Sequence, residues 1–302
     1  MAKKQSVSHE LPQRLKNELG VQPYHQKITS VKHFPNLGDQ IAVMPALKKY
    51  WEVTGRKIKF LQCVDTPAAY YQGATHPTVS DDGVMVSVNK AMFDMMKPLF
   101  ESQEYIHSYE VYQGQPVDLD FDVIRSKTFV NMPNLMIQSW IFHAYPDLAC
   151  DLSKSWITLS GKCPEYVKKQ VSGKVILNFT ERYRNHMIDY FFLKNYAPDL
   201  IFAGTEREHW QFCQKFHLDI PRLDIKNFLD YAYAIKGARF ILGCQTFGWN
   251  LAQAMQTPRI VELCNFAPNV QPNVGEDSYG FFHQAEVEYF FRRLYNETMG
   301  KK

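Results

Sequence analysis

The chain has 302 residues, of which 45% are hydrophobic and 22% are charged, and its formal net charge is +3. This composition is typical of a soluble globular protein, and the length suits two domains of roughly 120 to 150 residues each. The small net charge does not favour salt-driven nucleic-acid binding over a broad basic face, although it leaves room for a local basic cleft.

The cysteines and the N-terminus bear on the cellular compartment. No two of the six cysteines form a C-x-x-C pair, so their spacing gives no zinc or redox motif (Cys63, Cys150, Cys163, Cys213, Cys244 and Cys264). A reduced, intracellular protein with buried thiols is the simplest interpretation. The N-terminus lacks the apolar stretch of a secretory signal, and no apolar run reaches the length of a membrane span. We therefore expect a cytoplasmic protein.

The first elements predict a parallel sheet. Residues 1–26 are polar and are expected to form a tail or a short peripheral helix. "KITSVKHF" is typical of a β-branched strand, and apolar residues at helical spacing follow Gly38 (Ile41, Met44, Leu47 and Trp51). "GRKIKFLQCV" predicts a second strand. Strand, helix and strand in this order indicate a parallel pair with a right-handed crossover.

The middle of the chain is less regular. "GVMVSV", "SYEVYQ" and "FDVIR" are predicted as strands, and "AMFDMMKPLFES" as a helix that Pro98 interrupts. "MPNLMIQSWIFHAY" is typical of a buried helix. Residues 146–173, rich in Ser, Lys, Pro and Gly, are the candidate linker.

After the linker, strands and helices alternate again. Strands are predicted in "GKVILNFT", "DLIFAG", "RFILG" and "PRIVEL", the last of the chain, and helices in "NHMIDYFFLKNYA", "TEREHWQFCQKFH", "IKNFLDYAYAIKGA" and "GWNLAQAMQT". Thr205 and Glu208 have the spacing of a capping box. "FFHQAEVEYFFRRLYNETMG" predicts a final helix, which we expect to cover the first domain or to form a dimer contact.

We therefore predict an α/β protein with two Rossmann-like domains that face a central cleft. The expected boundaries are a tail at 1–26, an N-terminal domain at 27–160, a C-terminal domain at 172–280 and a helix at 281–302. The carboxyl ends of the strands of both domains would meet at the cleft, where open α/β sheets bind ligands.

The turn after the first strand holds the first candidate residues. Gly38 would allow a tight turn and close approach by a ligand. Asp39 would either cap the helix by accepting backbone N–H bonds or act as a base at the mouth of the cleft.

Three turns of the second domain are further candidates. The first turn follows a buried strand and contains Thr180, Arg182 and Arg184. These residues would form either a phosphate-binding site or a solvated charged turn. Gly204 and Thr205 form either a ligand site or an ordinary helix cap. The last turn opens a helix whose first N–H groups could hold a diphosphate, or it is an ordinary strand-to-helix turn (Gln245, Thr246, Phe247, Gly248 and Asn250).

Together these stretches resemble the ADP-heptose:lipopolysaccharide heptosyltransferase family of glycosyltransferases. "SVKHFPNLGDQIAVMPALKKYW" is similar to the opening strand, Gly-Asp turn and helix of that family. "IKNFLDYAYAIKGARFILGCQTFGWNLAQAMQTPRIVEL" is similar to its later signature, and "VILNFT" and "DLIFAGTERE" fit the strands between them. The resemblance covers most of residues 28–265, with residues 65–150 matched by position alone. It implies the GT-B fold and sugar transfer from a nucleotide-sugar donor.

The resemblance also implies residue roles. Asp39 matches the base that takes a proton from the acceptor hydroxyl, and Thr246 matches a residue at the donor diphosphate. Three positions depart from the family pattern: Gln245 replaces Asp, Phe247 replaces Gly and Asn250 replaces His. These departures leave the donor identity and the activity open, and Gly248 would take over the flexible position.

The function expected from the sequence is metal-independent glycosyl transfer without a cofactor, the nucleotide sugar being a co-substrate. The Asp-x-Asp spacing in "DLDFD" is better interpreted as an edge strand or turn than as a metal site. The acceptor would be a glycan, a lipid-linked sugar or another hydroxyl compound, and a nucleic-acid acceptor is not excluded. The alternatives are a nucleotide-sugar epimerase and a non-catalytic binding or structural protein derived from a GT-B enzyme.

Overall fold

The computed structural model describes residues 27–68, 78–125, 136–265, 267, 269–270 and 275–299. The expectations for residues 1–26, and for 132–135 at the start of a predicted helix, lie outside this range. No helix in the described part of the chain is long and apolar enough to cross a membrane.

The first half is built on a four-stranded parallel sheet. Its strand order is β3-β2-β1-β4, with β1 at Ser30–His33, β2 at Ile58–Gln62, β3 at Ile106–Val111 and β4 at Leu119–Asp120. Helix α1 (Leu37–Thr54) joins β1 to β2, which confirms the predicted strand–helix–strand opening, and α2 (Lys90–Glu101) precedes β3. β4 forms an edge of the sheet, as the alternation of "DLDFD" suggested.

The second half is built on a five-stranded parallel sheet. Its strand order is β6-β5-β7-β8-β9, and the strands are β5 (Val175–Asn178), β6 (Leu200–Phe202), β7 (Ile241–Gly243), β8 (Arg259–Glu262) and β9 (Ser278–Phe281). Every residue of β5 is buried, as expected for a central parallel strand with both faces covered. The α-helices of the second half are α5 (Glu206–Phe216), α6 (Phe228–Gly237), α7 (Phe247–Ala254) and α8 (Gln284–Met299).

Several local predictions were wrong. α2 continues through Pro98 to Glu101, and "FDVIR" forms a 3-10 helix rather than a strand. "GVMVSV" makes only isolated bridges. Residues 191–199 form a 3-10 helix in place of the predicted α-helix, and β9 follows "PRIVEL" as the last strand.

The final helix also lies elsewhere than expected. Phe291 and Leu294 of α8 are fully buried in the core of the second half, where Phe291 packs edge-on against Phe240 with ring centroids 5.2 Å apart. Arg239, just before β7, stacks on Tyr295 at 3.9 Å. α8 therefore covers the second sheet and not the first domain.

The short helix α3 (Trp140–Ala144) ends the first half. Residues 146–173 then connect the two halves and contain helix α4 (Glu165–Val171). Trp156 in this connection is buried. Its backbone N–H donates to Ala254 O at 2.9 Å, and its indole Nε1–H donates to Ile41 O at 3.0 Å. That carbonyl would bond the N–H of residue 45 in a regular helix, but Pro45 has none. Trp156 thus replaces the missing donor and links α1 to the end of α7. The predicted domain boundaries stay a prediction.

Candidate functional site

A cleft of about 500 Å³ lies between the two halves. Residues that follow β1, β5, β6 and β7 line it, so it opens at the carboxyl ends of both parallel sheets. This is the position at which open α/β sheets bind ligands. The structure therefore brings the four predicted turns together at one cleft.

The N-cap residues of three helices line this cleft. The lining includes Asn36 at the start of α1, Thr205 at the start of α5 and Thr246 at the start of α7. The first N–H groups of a helix have no acceptor inside the helix and carry partial positive charge. Three such ends at one cleft favour an anionic ligand.

Gly38 allows the two halves to touch. A Cβ atom on Gly38 would lie 3.0 Å from Asn250 Nδ2 and 3.8 Å from the Cα atom of Phe247. Gly38 lies inside the first turn of α1 and not in a turn before it, because the helix begins at Leu37. Helix α7 therefore packs closely against Gly38, and the predicted approach of a ligand at this residue stays a prediction.

Asp39 is the third residue of α1 and lines the cleft from the first half. Asn36 occupies the N-cap position, and Asp39 follows three residues later in the first turn of the helix. The Asp39 backbone N–H donates to Asn36 O at 2.9 Å. A carboxylate in the first turn interacts favourably with the helix dipole. Asp39 thus lines the same cleft as the beginning of α7.

Thr246 is buried and has two hydrogen bonds. Its hydroxyl oxygen accepts from Trp249 N at 3.2 Å, which caps α7, and its hydroxyl donates to Asn178 Oδ1 at 2.5 Å. Asn178 ends β5 and donates through Nδ2 to Ala203 O at 2.6 Å. Asn178 thereby ties the starts of α5 and α7 to the same strand. It was missed from the sequence, although a polar residue that ends an apolar strand is a usable signal.

The three positions that depart from the family pattern line the cleft and also make structural contacts. Gln245 Nε2 donates to Ala267 O at 2.7 Å. Asn250 Oδ1 accepts from Gln138 Nε2 of the first half at 2.9 Å. Phe247 packs on Phe228 with ring centroids 4.6 Å apart, giving the cleft an aromatic wall. These contacts give each unusual residue a role in the local structure.

The arginines after β5 separate. Thr180 and Arg182 line the cleft, whereas Arg184 lines a neighbouring hollow of about 290 Å³. Arg184 donates to Glu262 through Nε at 2.9 Å and Nη2 at 3.3 Å, and the Glu262 carboxylate keeps the pKa of Arg184 above its usual value although burial opposes this. Tyr190 OH also donates to Glu262. The predicted contact of Arg184 with the ligand therefore does not fit its placement.

Gly204 and Thr205 line the cleft, and the predicted capping box is confirmed. Thr205 Oγ1 accepts from Glu208 N at 3.2 Å, and Glu208 Oε2 accepts from Thr205 N at 2.9 Å. Burial raises the pKa of the Glu208 carboxyl group above its usual value, while the bonds from Thr205 and the charge of Arg182 act in the opposite direction. Glu208 also lines the cleft, which the sequence did not indicate.

Two of the three acidic residues of "DLDFD" form ion pairs with a lysine. Lys32 Nζ lies 2.7 Å from Asp120 Oδ2 and 3.3 Å from Asp122 Oδ2. Asp122 also accepts from Phe34 N at 2.9 Å and contacts His33 Nδ1 at 3.1 Å. Among the residues that the structure describes, no group of three or more His, Cys, Asp and Glu side chains is placed to hold a metal ion. All six cysteines are free thiols.

Solved structures share this fold over most of the chain. A glycosyl transferase family 9 protein from Veillonella parvula DSM 2008 is 9% identical, with a TM-score of 0.55 over 90% of both chains. The E. coli ADP-heptose lps heptosyltransferase II is 12% identical, with a TM-score of 0.57 over 91% of this chain and 100% of that one. The E. coli heptosyltransferase WaaC with ADP-2-deoxy-2-fluoro heptose is 12% identical, with a TM-score of 0.51 over 88% of this chain and 99% of that one.

No protein-family model matches the chain, and no curated protein does. At these identities the structural likeness shows the fold. The chain has a GT-B-type fold, with two α/β halves on either side of a cleft. The resemblance to heptosyltransferases that the sequence motifs suggested is thus confirmed at the level of the fold.

Proposed function

We propose that this protein is a glycosyltransferase that moves a sugar from a nucleoside-diphosphate sugar to an acceptor hydroxyl. The observation that carries the proposal is the convergence of three helix N-termini on one cleft at the carboxyl ends of two parallel sheets. Such termini bind diphosphates through backbone N–H groups and partial positive charge. The fold shared with solved glycosyltransferases supports the same reaction class.

The second half would hold the donor. The start of α7 and the guanidinium group of Arg182 would bind the diphosphate, and Thr246 would add a hydroxyl donor. Positive groups fixed in position before the reaction stabilise the charge that develops on the leaving diphosphate. In this proposal the stabilisation comes from the protein itself, without a metal ion or cofactor.

The first half would hold the acceptor, with Asp39 as the base. In the reaction, the acceptor oxygen forms a bond to the anomeric carbon of the donor sugar. The bond from that carbon to the phosphate oxygen breaks, the electron pair leaves with the diphosphate, and the acceptor proton passes to the Asp39 carboxylate. Asp39 and the start of α7 line the same cleft, and in this proposal the base and the leaving group lie on the two sides of the sugar.

The charges that line the cleft indicate which class of acceptor molecule it suits. Among its described lining residues are two arginines and three acidic residues, which are Arg182, Arg222, Asp39, Glu208 and Asp224. A nucleic-acid acceptor would require a basic surface. We therefore propose a glycan, a lipid-linked sugar or another neutral hydroxyl compound.

The first test is a thermal-shift screen with ADP, GDP, UDP, CDP and their sugar conjugates. A ligand that binds the native state raises the Tm by mass action. We expect one nucleotide to stabilise the wild type and Asp39→Asn equally, and Thr246→Val less. Thr54→Val, which removes a hydroxyl bonded to Tyr50 O at the far end of α1, is the matched control. If no nucleotide raises the Tm at millimolar concentration, the chain is a non-catalytic derivative of the fold.

The second test is turnover with the sugar conjugate that the screen selects. Asp39→Asn should reduce transfer by about 100-fold or more, because an amide cannot take the acceptor proton. Its nucleotide affinity should match that of the wild type. Turnover retained in Asp39→Asn would contradict the role of the base, and conversion of the donor sugar without any acceptor would identify an epimerase.

A further inference from the structure

The hydroxyl group of Tyr231 stands out on the wall of the cleft. Tyr231 belongs to α6 and is 5% exposed. Its hydroxyl is fully buried and has no hydrogen-bond partner among the described residues, although Tyr231 lines the cleft. A buried hydroxyl without a partner is unfavourable, so this group calls for an explanation.

Gly248 shows where this hydroxyl lies. A Cβ atom on Gly248 would be 2.2 Å from Tyr231 Oη and 2.4 Å from Asn178 Oδ1. Both oxygens therefore lie near the second residue of α7, and their separation is at most the sum of these two distances. Only the absence of a side chain at this position allows both to approach the helix start.

Asn178 Oδ1 is already bonded in this structure, because Thr246 donates to it at 2.5 Å. A threonine hydroxyl has a single hydrogen, so it cannot donate to Asn178 and to a phosphate oxygen at the same time. If Thr246 turns to a bound diphosphate, Asn178 Oδ1 loses its donor. The Asn178 amide stays in place, since its Nδ2 is bonded to Ala203 O.

We propose that Tyr231 is a positioning residue for the donor diphosphate, whose hydroxyl donates to Asn178 Oδ1 once Thr246 has turned to a phosphate oxygen. The inference rests on the proposed function, because it needs a diphosphate at the start of α7. Binding would then satisfy Tyr231 and Thr246 together, and the unpartnered hydroxyl of the free protein would favour the bound state.

The protonation of Tyr231 is compatible with this role. Burial raises the pKa of Tyr231 far above its usual value, and the nearby Glu208 carboxylate acts in the same direction. The hydroxyl therefore keeps its proton at neutral pH and remains a donor. It moves no proton in the reaction, because it acts through Asn178 and Thr246.

The test is a double-mutant cycle on affinity, with inorganic pyrophosphate and ADP as calorimetric probes. The proteins are the wild type, Tyr231→Phe, Thr246→Val and the double variant. Tyr233→Phe is the matched control, since this tyrosine lies on the same helix and donates to Ser160 O at 2.8 Å. We expect Tyr231→Phe to weaken binding about ten-fold, as for loss of one hydrogen bond, and Tyr233→Phe to have no effect.

The double variant decides the mechanism. It should bind as Thr246→Val does, because without the threonine hydroxyl binding no longer removes a donor from Asn178 Oδ1, so that Tyr231 has nothing to replace. Wild-type affinity in Tyr231→Phe, or a further loss in the double variant, would overturn the inference. In the absence of ligand, Tyr231→Phe should melt no lower than the wild type, whereas a structural role would lower its Tm.

The failure of this inference can be told from the failure of the proposed function. If wild-type protein binds neither pyrophosphate nor ADP nor any nucleotide of the screen, both are overturned. If it binds one of them and only Thr246→Val weakens the binding, the donor site stands and the role of Tyr231 is wrong.

Discussion

We predict that Gly248→Ala destabilises the protein, although glycine-to-alanine changes in helices usually stabilise. Inside a helix, replacing glycine with alanine normally stabilises by about 1 kcal/mol. Here the new Cβ atom would lie 2.2 Å from Tyr231 Oη and 2.4 Å from Asn178 Oδ1, both far inside van der Waals contact. Tyr231 Cζ is 3.0 Å away, so the ring must move as well.

The expected magnitude follows from these contacts. Overpacking a buried site costs about 1 to 3 kcal/mol. After the gain from helix propensity, we expect Gly248→Ala to lose about 1 to 2 kcal/mol in the free energy of unfolding. Nucleotide binding should be lost too, because displaced Asn178 and Tyr231 side chains would disturb the start of α7.

Urea denaturation followed by tryptophan fluorescence measures the stability, and calorimetry measures the nucleotide affinity. Gly237→Ala, at the end of α6, is the matched control, because its new Cβ atom would meet only a Val171 methyl group at 3.3 Å. Tyr231→Phe added to Gly248→Ala should recover part of the loss by removing the nearest atom. A Gly248→Ala protein that is as stable as the wild type and binds nucleotide normally would refute the reasoning.

Two further predictions concern buried charges. Glu262→Gln should lower the free energy of unfolding by about 3 kcal/mol, because it leaves the buried Arg184 without its counter-charge. Glu181→Gln, at an exposed ion pair, should change the free energy of unfolding by less than about 1 kcal/mol. Equal urea midpoints for the two variants would contradict this prediction. Burial raises the pKa of Asp122, but the hydrogen bond with His33 and the other polar contacts lower it further, so that the net pKa lies below its usual value. The ionised Asp122 carboxylate therefore contributes fully to the stability of the fold above about pH 4, and this contribution is lost as the pH falls through the lowered pKa. Asp122→Asn should therefore be less stable than the wild type in urea melts at pH 7, with a difference that shrinks as the pH falls below about 4. A pH-independent difference would exclude this electrostatic origin.

The sequence predicted the strands of both sheets best where they are central and parallel. "VILN" became the fully buried β5, because a strand covered on both faces must be apolar throughout. The edge strand β9 was missed, since its short sequence "SYGF" is only partly buried and contains a glycine. "FDVIR" was misassigned because a short apolar run fits a strand and a 3-10 turn equally well.

The sequence also located the turns of the candidate site, but it could not give the contacts between them. Gly38 was predicted to allow close approach by a ligand, and only the fold shows that Asn250 of the second half also lies close to it. Arg182 and Arg184 have the same chemistry, yet only the fold shows that Glu262 holds Arg184 away from the cleft. Tyr231 was read as part of an amphipathic helix, because the place of its hydroxyl above Gly248 depends on long-range packing.

The indole of Trp156 limits how the two halves can move. Trp156 is hydrogen-bonded to α1 through its indole and to the end of α7 through its backbone N–H. A relative rotation of the two halves that keeps both hydrogen bonds must therefore pivot about this residue. At the cleft the halves are joined by Gln138 and Asn250, and by Ile137 N with Asn269 O at 2.9 Å. A rotation about Trp156 that widened the cleft would separate both pairs, so opening the cleft in this way would cost the Gln138–Asn250 and Ile137–Asn269 hydrogen bonds.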